Sequence, residues 1–149
     1  MNQRFETFTV LINRISRNIR KIKNNEMMAY HLRSSHVSCL YYLYASEGLT
    51  ATDLCDACEE DKATISRALD FLEKNGYLTC ATESGKRYKS PLVLTEKGKT
   101  AAQKIADKVN TVLDEISDGM TEEERVRFYQ NLSTISERLD AIALSNDKN

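Results

Sequence analysis

The stretch Asp61-Lys-Ala-Thr-Ile-Ser-Arg-Ala-Leu69 sets an unusual group of side chains at helical spacing. On a helix, Ile65, Leu69 and Leu72 fall on one side, and Ala63, Thr64, Ser66 and Arg67 face outward. Solvated helix faces are usually dense in Glu and Lys, which hold water and pair at i,i+4. This face is small, bears two hydroxyls and carries one guanidinium, which suits a helix whose water is to be displaced by another surface.

Cys55-Asp-Ala-Cys58 is the second candidate for chemistry. Residues i and i+3 share a helical face, so the two thiolates could chelate a soft metal. No third ligand lies nearby in sequence, so a metal- or thiol-responsive site at Cys55 and Cys58 is weighed against thiols packed as small apolar groups. Cys39 and Cys80 are further oxidation candidates without a supporting pattern. There is no glycine-rich phosphate loop, no nucleophile elbow and no suggestive carboxylate pair, and His31 and His36 are the only histidines. An enzyme is therefore not expected, nor is a cofactor.

The elements that must position these residues are mostly helical. Phe5, Phe8, Ile12, Ile15, Ile19 and Ile22 step by three or four and predict a long first helix with one apolar stripe. A second helix, capped by Ser34 or Ser35, is expected to bury Val37, Leu40, Tyr41 and Tyr44 and to end at Gly48. Thr50-Ala-Thr-Asp53 reads as a capping box with Asp in the Glu position, opening a short third helix, and Asp61 caps a fourth that stops near Gly76. Three short helices in series are the pattern of a helix-turn-helix unit.

After Gly76 the apolar period falls to two. Tyr77–Thr82 and Tyr88–Thr95 flank the polar turn Glu83-Ser-Gly-Lys-Arg87, predicting a hairpin whose second strand is an edge because Pro91 lies within it. Two more helices follow, carried by Ala102, Ile105, Val109, Val112 and Ile116, and by Phe128, Leu132, Ile135, Leu139 and Ile142. Thr121-Glu-Glu-Glu124 is a capping box for the last. Spacing near 3.5 on both suggests narrow coiled-coil seams, and a chain this small has little body to cover them, so pairing with a second copy is expected.

With 149 residues, 41% hydrophobic and 29% charged, the chain is long enough for one domain with a core. No apolar run suits a membrane span and the amino terminus has no secretory pattern, so a cytoplasmic protein with reduced thiols and no membrane partner is expected. The formal charge of −1 conceals asymmetry. Residues 1–25 hold Arg4, Arg14, Arg17, Arg20, Lys21 and Lys23 against Glu6, residues 83–99 are also basic, and residues 107–149 hold ten acids against five bases. A near-neutral total does not exclude a polyanionic partner, because phosphate affinity depends on where charge sits.

The order of elements resembles the MarR-type (multiple antibiotic resistance regulator) winged helix-turn-helix transcription regulators over nearly the whole chain. The residues that carry the resemblance are Gly48-Leu-Thr-Ala-Thr-Asp-Leu54, Asp61 through Leu78, and Leu92-Val-Leu-Thr-Glu-Lys-Gly98. It implies a mainly α fold with a small β-hairpin wing. The single domain 1–149 would have a winged helix-turn-helix lobe at about 34–98 and dimerisation helices at about 3–30 and 99–145. The implied function is a homodimeric transcription regulator, a repressor, on a pseudo-palindromic operator in double-stranded DNA, released by a small-molecule effector.

On that resemblance, Lys62, Thr64, Ser66 and Arg67 contact the major groove, with Arg67 reading guanine through two parallel hydrogen bonds. Lys86, Arg87 and Lys89 at the wing contact the flanking minor groove or its phosphates. Members often carry Asp-x-Arg at the wing, whereas this chain reads Glu83-Ser-Gly-Lys-Arg-Tyr-Lys89, keeping the basic tip but not the spacing. An effector pocket between dimerisation helices and lobe would be lined by Phe8, Ile12, His31, His36 and Tyr42. Redox-sensing members carry a reactive cysteine early in helix one; this chain has none before Cys39, so that mechanism does not carry over.

Overall fold

Short polar side chains decide where the helices that follow Thr50, Asp61, Thr95 and Thr121 begin. The computed structural model describes residues 3–80 and 89–146. In chain order these form α1 (Gln3–Glu26), a single 3-10 turn (Met28–Tyr30), α2 (Ser34–Ala45), α3 (Ala51–Cys58), α4 (Lys62–Lys74), β1 (Leu78–Cys80), β2 (Leu92–Leu94), α5 (Glu96–Ile116) and α6 (Glu122–Asn146). The fold is mainly helical with one two-stranded antiparallel sheet, as the sequence predicts.

The box at α3 forms as read. The Thr50 backbone N–H donates to Asp53 Oδ2 at 2.7 Å, and the Asp53 N–H donates to Thr50 Oγ1 at 3.3 Å. Helix α4 begins on Asp61, whose Oδ1 accepts the Thr64 N–H at 2.8 Å. The start of α2 differs from expectation. Neither Ser34 nor Ser35 occupies the cap position, which is Arg33. The free N–H groups find other acceptors: that of Ser34 donates to Asn24 Oδ1 of α1 at 2.7 Å, and that of Arg33 donates to His36 Nδ1 at 3.0 Å.

The lobe is built where α2, α3 and α4 pack on one another and on the sheet. Leu40, Leu54, Leu69 and Leu72 are all 0% exposed, joined by Ile65, Leu78, Leu92 and, from α5, Ala102 and Ile105. Each such side chain contributes about 1.5–3 kcal/mol relative to an exposed one. Val37 and Leu40 are buried as expected, but Tyr41 is only half-buried and Tyr44 is exposed, its hydroxyl bonded to Gln103 of α5. Cys39 and Leu43 take the inward positions instead. Tyrosine keeps its hydroxyl near polar partners, so the smaller groups go inside.

Among the described residues the strands are Leu78–Cys80 and Leu92–Leu94, and the second starts later than the sequence suggests. Leu78 pairs with Leu94, Thr79 with Val93 and Cys80 with Leu92. Pro91 precedes β2 rather than lying within it, and Leu92 takes a further bond from its N–H to the Leu49 carbonyl at 2.9 Å. Thr95 then ties the sheet to two helices. Its Oγ1 donates to the Gly76 carbonyl at 2.6 Å and accepts the Gly98 N–H at 3.1 Å, capping α5. A Cβ at Gly98 would stand 1.9 Å from the Tyr77 carbonyl oxygen, so only glycine lets α5 approach this closely.

The chain divides into two units within α5, after Lys108. In the first, α1 leaves Phe8, Ile12, Ile15, Ile19 and Ile22 exposed along one stripe. In the second, the Thr121 and Glu124 box starts α6 through bonds of 2.8 and 3.2 Å, and no residue of α6 is buried. Among the described residues no helix is long and apolar enough to cross a membrane.

Candidate nucleic-acid interface

Helix α4 is anchored by Ile65, Ala68, Leu69 and Leu72, all inward, which fixes what it can present outward. Ala63 and Arg67 are exposed, as is Lys62 at the helix start. Thr64 and Ser66, expected on the outer face, are half-buried. The Thr64 hydroxyl is already committed. It donates to Asp61 Oδ2 at 3.0 Å and accepts from Arg67 Nη2 at 3.2 Å, so Asp61, Thr64 and Arg67 form a chain across the first two turns of α4. Hydrogen bonds from the Thr64 backbone and hydroxyl hold the Asp61 carboxyl below its ordinary range, with a smaller contribution from Arg67. Asp61 therefore stays ionised, and its charge is spent on the helix's own amides.

A concave cleft of about 1000 Å³ flanks α4. The cleft takes His31 and Arg33 from the segment before α2, Ser35 and His36 from its first turn, and Thr64, Arg67 and Phe71 from α4. His36 stacks on Phe71 with centroids 4.3 Å apart and planes 8° from parallel. Burial, with Arg33 adding to it, pushes its imidazole below the ordinary value, so the ring is neutral and its Nδ1 can accept the Arg33 N–H. Arg33 was not singled out from sequence. It lies far from Arg67 along the chain, and only the packing of α2 on α4 sets both guanidinium groups around one cleft.

The remaining candidates are placed as follows. His31 and His36 meet in this cleft, whereas Phe8, Ile12 and Tyr42 are not among its lining residues. Phe8 and Ile12 lie on the exposed stripe of α1, and Tyr42 is half-buried on α2. Lys89 is exposed just before β2. Lys86 and Arg87, with Glu83, lie outside the described residues. Cys55 and Cys58 are a turn apart on α3, and both are half-buried. Among the described residues no group of three or more His, Cys, Asp or Glu side chains is placed to hold a metal ion.

Three short helices, the last of them presenting a small, guanidinium-bearing outer face, and a two-stranded hairpin define a winged helix. The winged helix DNA-binding domain family matches residues 36–113, and the chain belongs to that family, with a fold of the MarR type. A transcriptional regulator of the MarR family from Silicibacter pomeroyi is 27% identical, with 84% of each chain covered and a TM-score of 0.73. A protein from Listeria monocytogenes described as a MarR family transcriptional regulator, complexed with 26mer DNA, is 25% identical over 93% of this chain and 92% of its own, with a TM-score of 0.80. The MepR–DNA complex from S. aureus shares the fold at 20% identity, covering 93% and 99%, with a TM-score of 0.79. Comparison with curated protein sequences returns no match.

Proposed function

We propose that this chain is a sequence-specific, double-stranded-DNA-binding transcription regulator, a cytoplasmic repressor without catalytic activity, acting as a homodimer on a pseudo-palindromic operator. The observation that carries the reading is α4, buried on one side to 0–2% exposure and presenting a small outer face with one guanidinium at its centre. In this reading Arg67 swings from Thr64 to a guanine edge, worth about 1–3 kcal/mol of discrimination. Lys62 and Ser66 hold the helix against phosphates, and Thr64 acts chiefly by fixing the start of the helix through Asp61. Lys86, Arg87 and Lys89 supply charge at the wing.

Dimerisation through helices near 3–30 and 99–145 is supported by the exposed apolar stripes of α1 and α6. On α6, Phe128, Leu132, Ile135, Leu139 and Ile142 are between 38% and 58% exposed. Two recognition helices must sit about 34 Å apart to enter successive major grooves, so a molecule that shifts one relative to the other changes affinity. The cleft of His31, His36, Arg33 and Arg67 is where we place a small-molecule effector, with the α1 and α2 residues Phe8, Ile12 and Tyr42 as the outer candidates.

Gel-shift titration against the DNA upstream of the protein's own gene tests the reading. Binding should weaken steeply with salt through counterion release. Arg67→Ala should abolish the preference for that DNA over random sequence, whereas Lys89→Ala should weaken both alike. Absence of binding, or binding indifferent to salt, defeats the proposal.

A further inference from the structure

Asn24, near the end of α1, lines the cleft that Arg33 and Arg67 share. Its Oδ1 accepts the Ser34 N–H at 2.7 Å, and Lys23 Nζ donates to Ser38 Oγ at 3.1 Å, so the last turns of α1 are tied to the start of α2. Three, four and seven residues before Asn24 stand Lys21, Arg20 and Arg17. Residues at those spacings share one helical face, so the side of α1 that reaches the cleft continues as a row of three cations. All three are exposed, and among the described residues none of them is in an ion pair. We infer that this face of α1 is a further DNA-contacting surface, gripping backbone phosphates of the duplex beside the bases under α4. The inference rests on the DNA-binding reading above and extends its interface beyond α4 and the wing.

The composition of the face separates it from an ordinary solvated one, where acids alternate with bases and pair with them. The positions three and four residues from each of these cations hold only asparagine, serine or another cation. Arg17 and Lys21, at i,i+4, repel each other, which costs the free helix stability. A polyanion laid along the row removes that cost and gives up its condensed counterions as it docks.

The row also stands clear of the other use of the helix. Ile12, Ile15, Ile19 and Ile22 form the exposed apolar stripe on the opposite side of α1, so a second copy covering that stripe leaves the cations open. Seven residues of α-helix rise about 10 Å, the axial distance taken by about three phosphates of one DNA strand. The guanidinium groups of Arg17 and Arg20 match phosphate oxygens two at a time, and Lys21 adds a point charge. None of these contacts reads a base, so sequence preference stays with Arg67 and α1 supplies affinity.

The test compares the full-length protein on the DNA upstream of its own gene and on random duplex of the same length, across a salt series. In the Arg17→Gln, Arg20→Gln, Lys21→Gln triple variant the slope of log affinity against log salt should shrink by about two to three, and affinity at about 0.1 M salt should fall at least tenfold, on both DNAs alike. Glutamine is a good helix former, so circular dichroism should be unchanged. If helicity is lost, Arg17→Gln alone decides, with a slope smaller by about one. Arg17→Lys with Arg20→Lys keeps the charge and should keep the wild-type slope. An unchanged slope in the triple variant, or a loss confined to the cognate DNA, overturns the inference and leaves the DNA-binding reading standing. An equal loss per charge in Arg138→Gln on α6 overturns it too, because net charge rather than this face would then be acting. So does binding to phosphatidylserine vesicles that the triple variant loses while its DNA affinity is unchanged, which would give the face to a membrane surface. If the wild-type protein binds neither DNA, the DNA-binding reading fails first and the α1 surface with it.

Discussion

The lobe around α4 and the terminal helix α6 bury apolar side chains to opposite extents. In the lobe four leucines are 0% exposed and a backbone carbonyl leaves no room for one more carbon at Gly98. Along α6 every apolar residue is open to solvent, although its helical start is capped as carefully as that of α3. Local hydrogen bonds thus define helices equally well in both regions, but only the lobe closes a core of its own. The apolar pattern of α6 has meaning only against another surface, which is the argument for a second copy.

Substitutions in the two regions should therefore differ in size and in their dependence on protein concentration. Leu69→Ala removes a fully buried side chain and should cost about 2–5 kcal/mol in urea unfolding. A loss within about 0.5 kcal/mol, as at a surface position, would break the contrast. Gly98→Ala should cost about 3 kcal/mol by overpacking against the Tyr77 carbonyl. Gly119→Ala, where a Cβ meets nothing within 4 Å but φ is 83°, should cost only about 1 kcal/mol. Equal penalties would show that conformation, not packing, limits the Gly98 site.

Ile135→Glu on α6 should leave the lobe folded but weaken self-association at least tenfold, about 1.4 kcal/mol, by analytical ultracentrifugation. The wild-type melting temperature should rise with protein concentration and that of the variant should not. An unchanged sedimentation profile would remove α6 from the interface.

The smallest effect is a pH dependence confined to the lobe. Burial and Arg33 lower the folded-state pKa of His36, so as pH falls through about 6.5 the unfolded chain takes up its proton first. Stability should decline from there and level off below the lowered folded value. His36→Gln should flatten that window while leaving acid unfolding by carboxylates in place. A wild-type profile flat across that range would mean His36 is not held neutral.

What could be read from the sequence follows the range of the interactions involved. The Thr50–Asp53, Asp61 and Thr121–Glu124 caps act over three residues, and all three form as read. The helical periods of α1, α5 and α6 are equally local. Caps supplied from elsewhere were not legible: Asn24 reaches α2 from another helix, and His36 serves as an acceptor because its stacking on Phe71 buries it. The same holds for the site. Arg67 and its neighbours stand out by composition, whereas Arg33 joins them only through the packing of α2 on α4. Tyr44 was misplaced because an aromatic at core spacing carries no sign that its hydroxyl will find Gln103.

On the proposed reading, the hydrogen bond from Arg67 to Thr64 gives groove recognition the character of an exchange reaction. A guanidinium already held in one rotamer has less side-chain entropy to lose on docking. Its bond to a neutral hydroxyl is worth about 0.5–1.5 kcal/mol, so a base offering a single acceptor barely compensates its release, while a guanine offering two does so clearly. On that proposal Thr64 would set a threshold for Arg67: over mismatched DNA the arginine would gain little by leaving its intramolecular partner, and the helix would slide past.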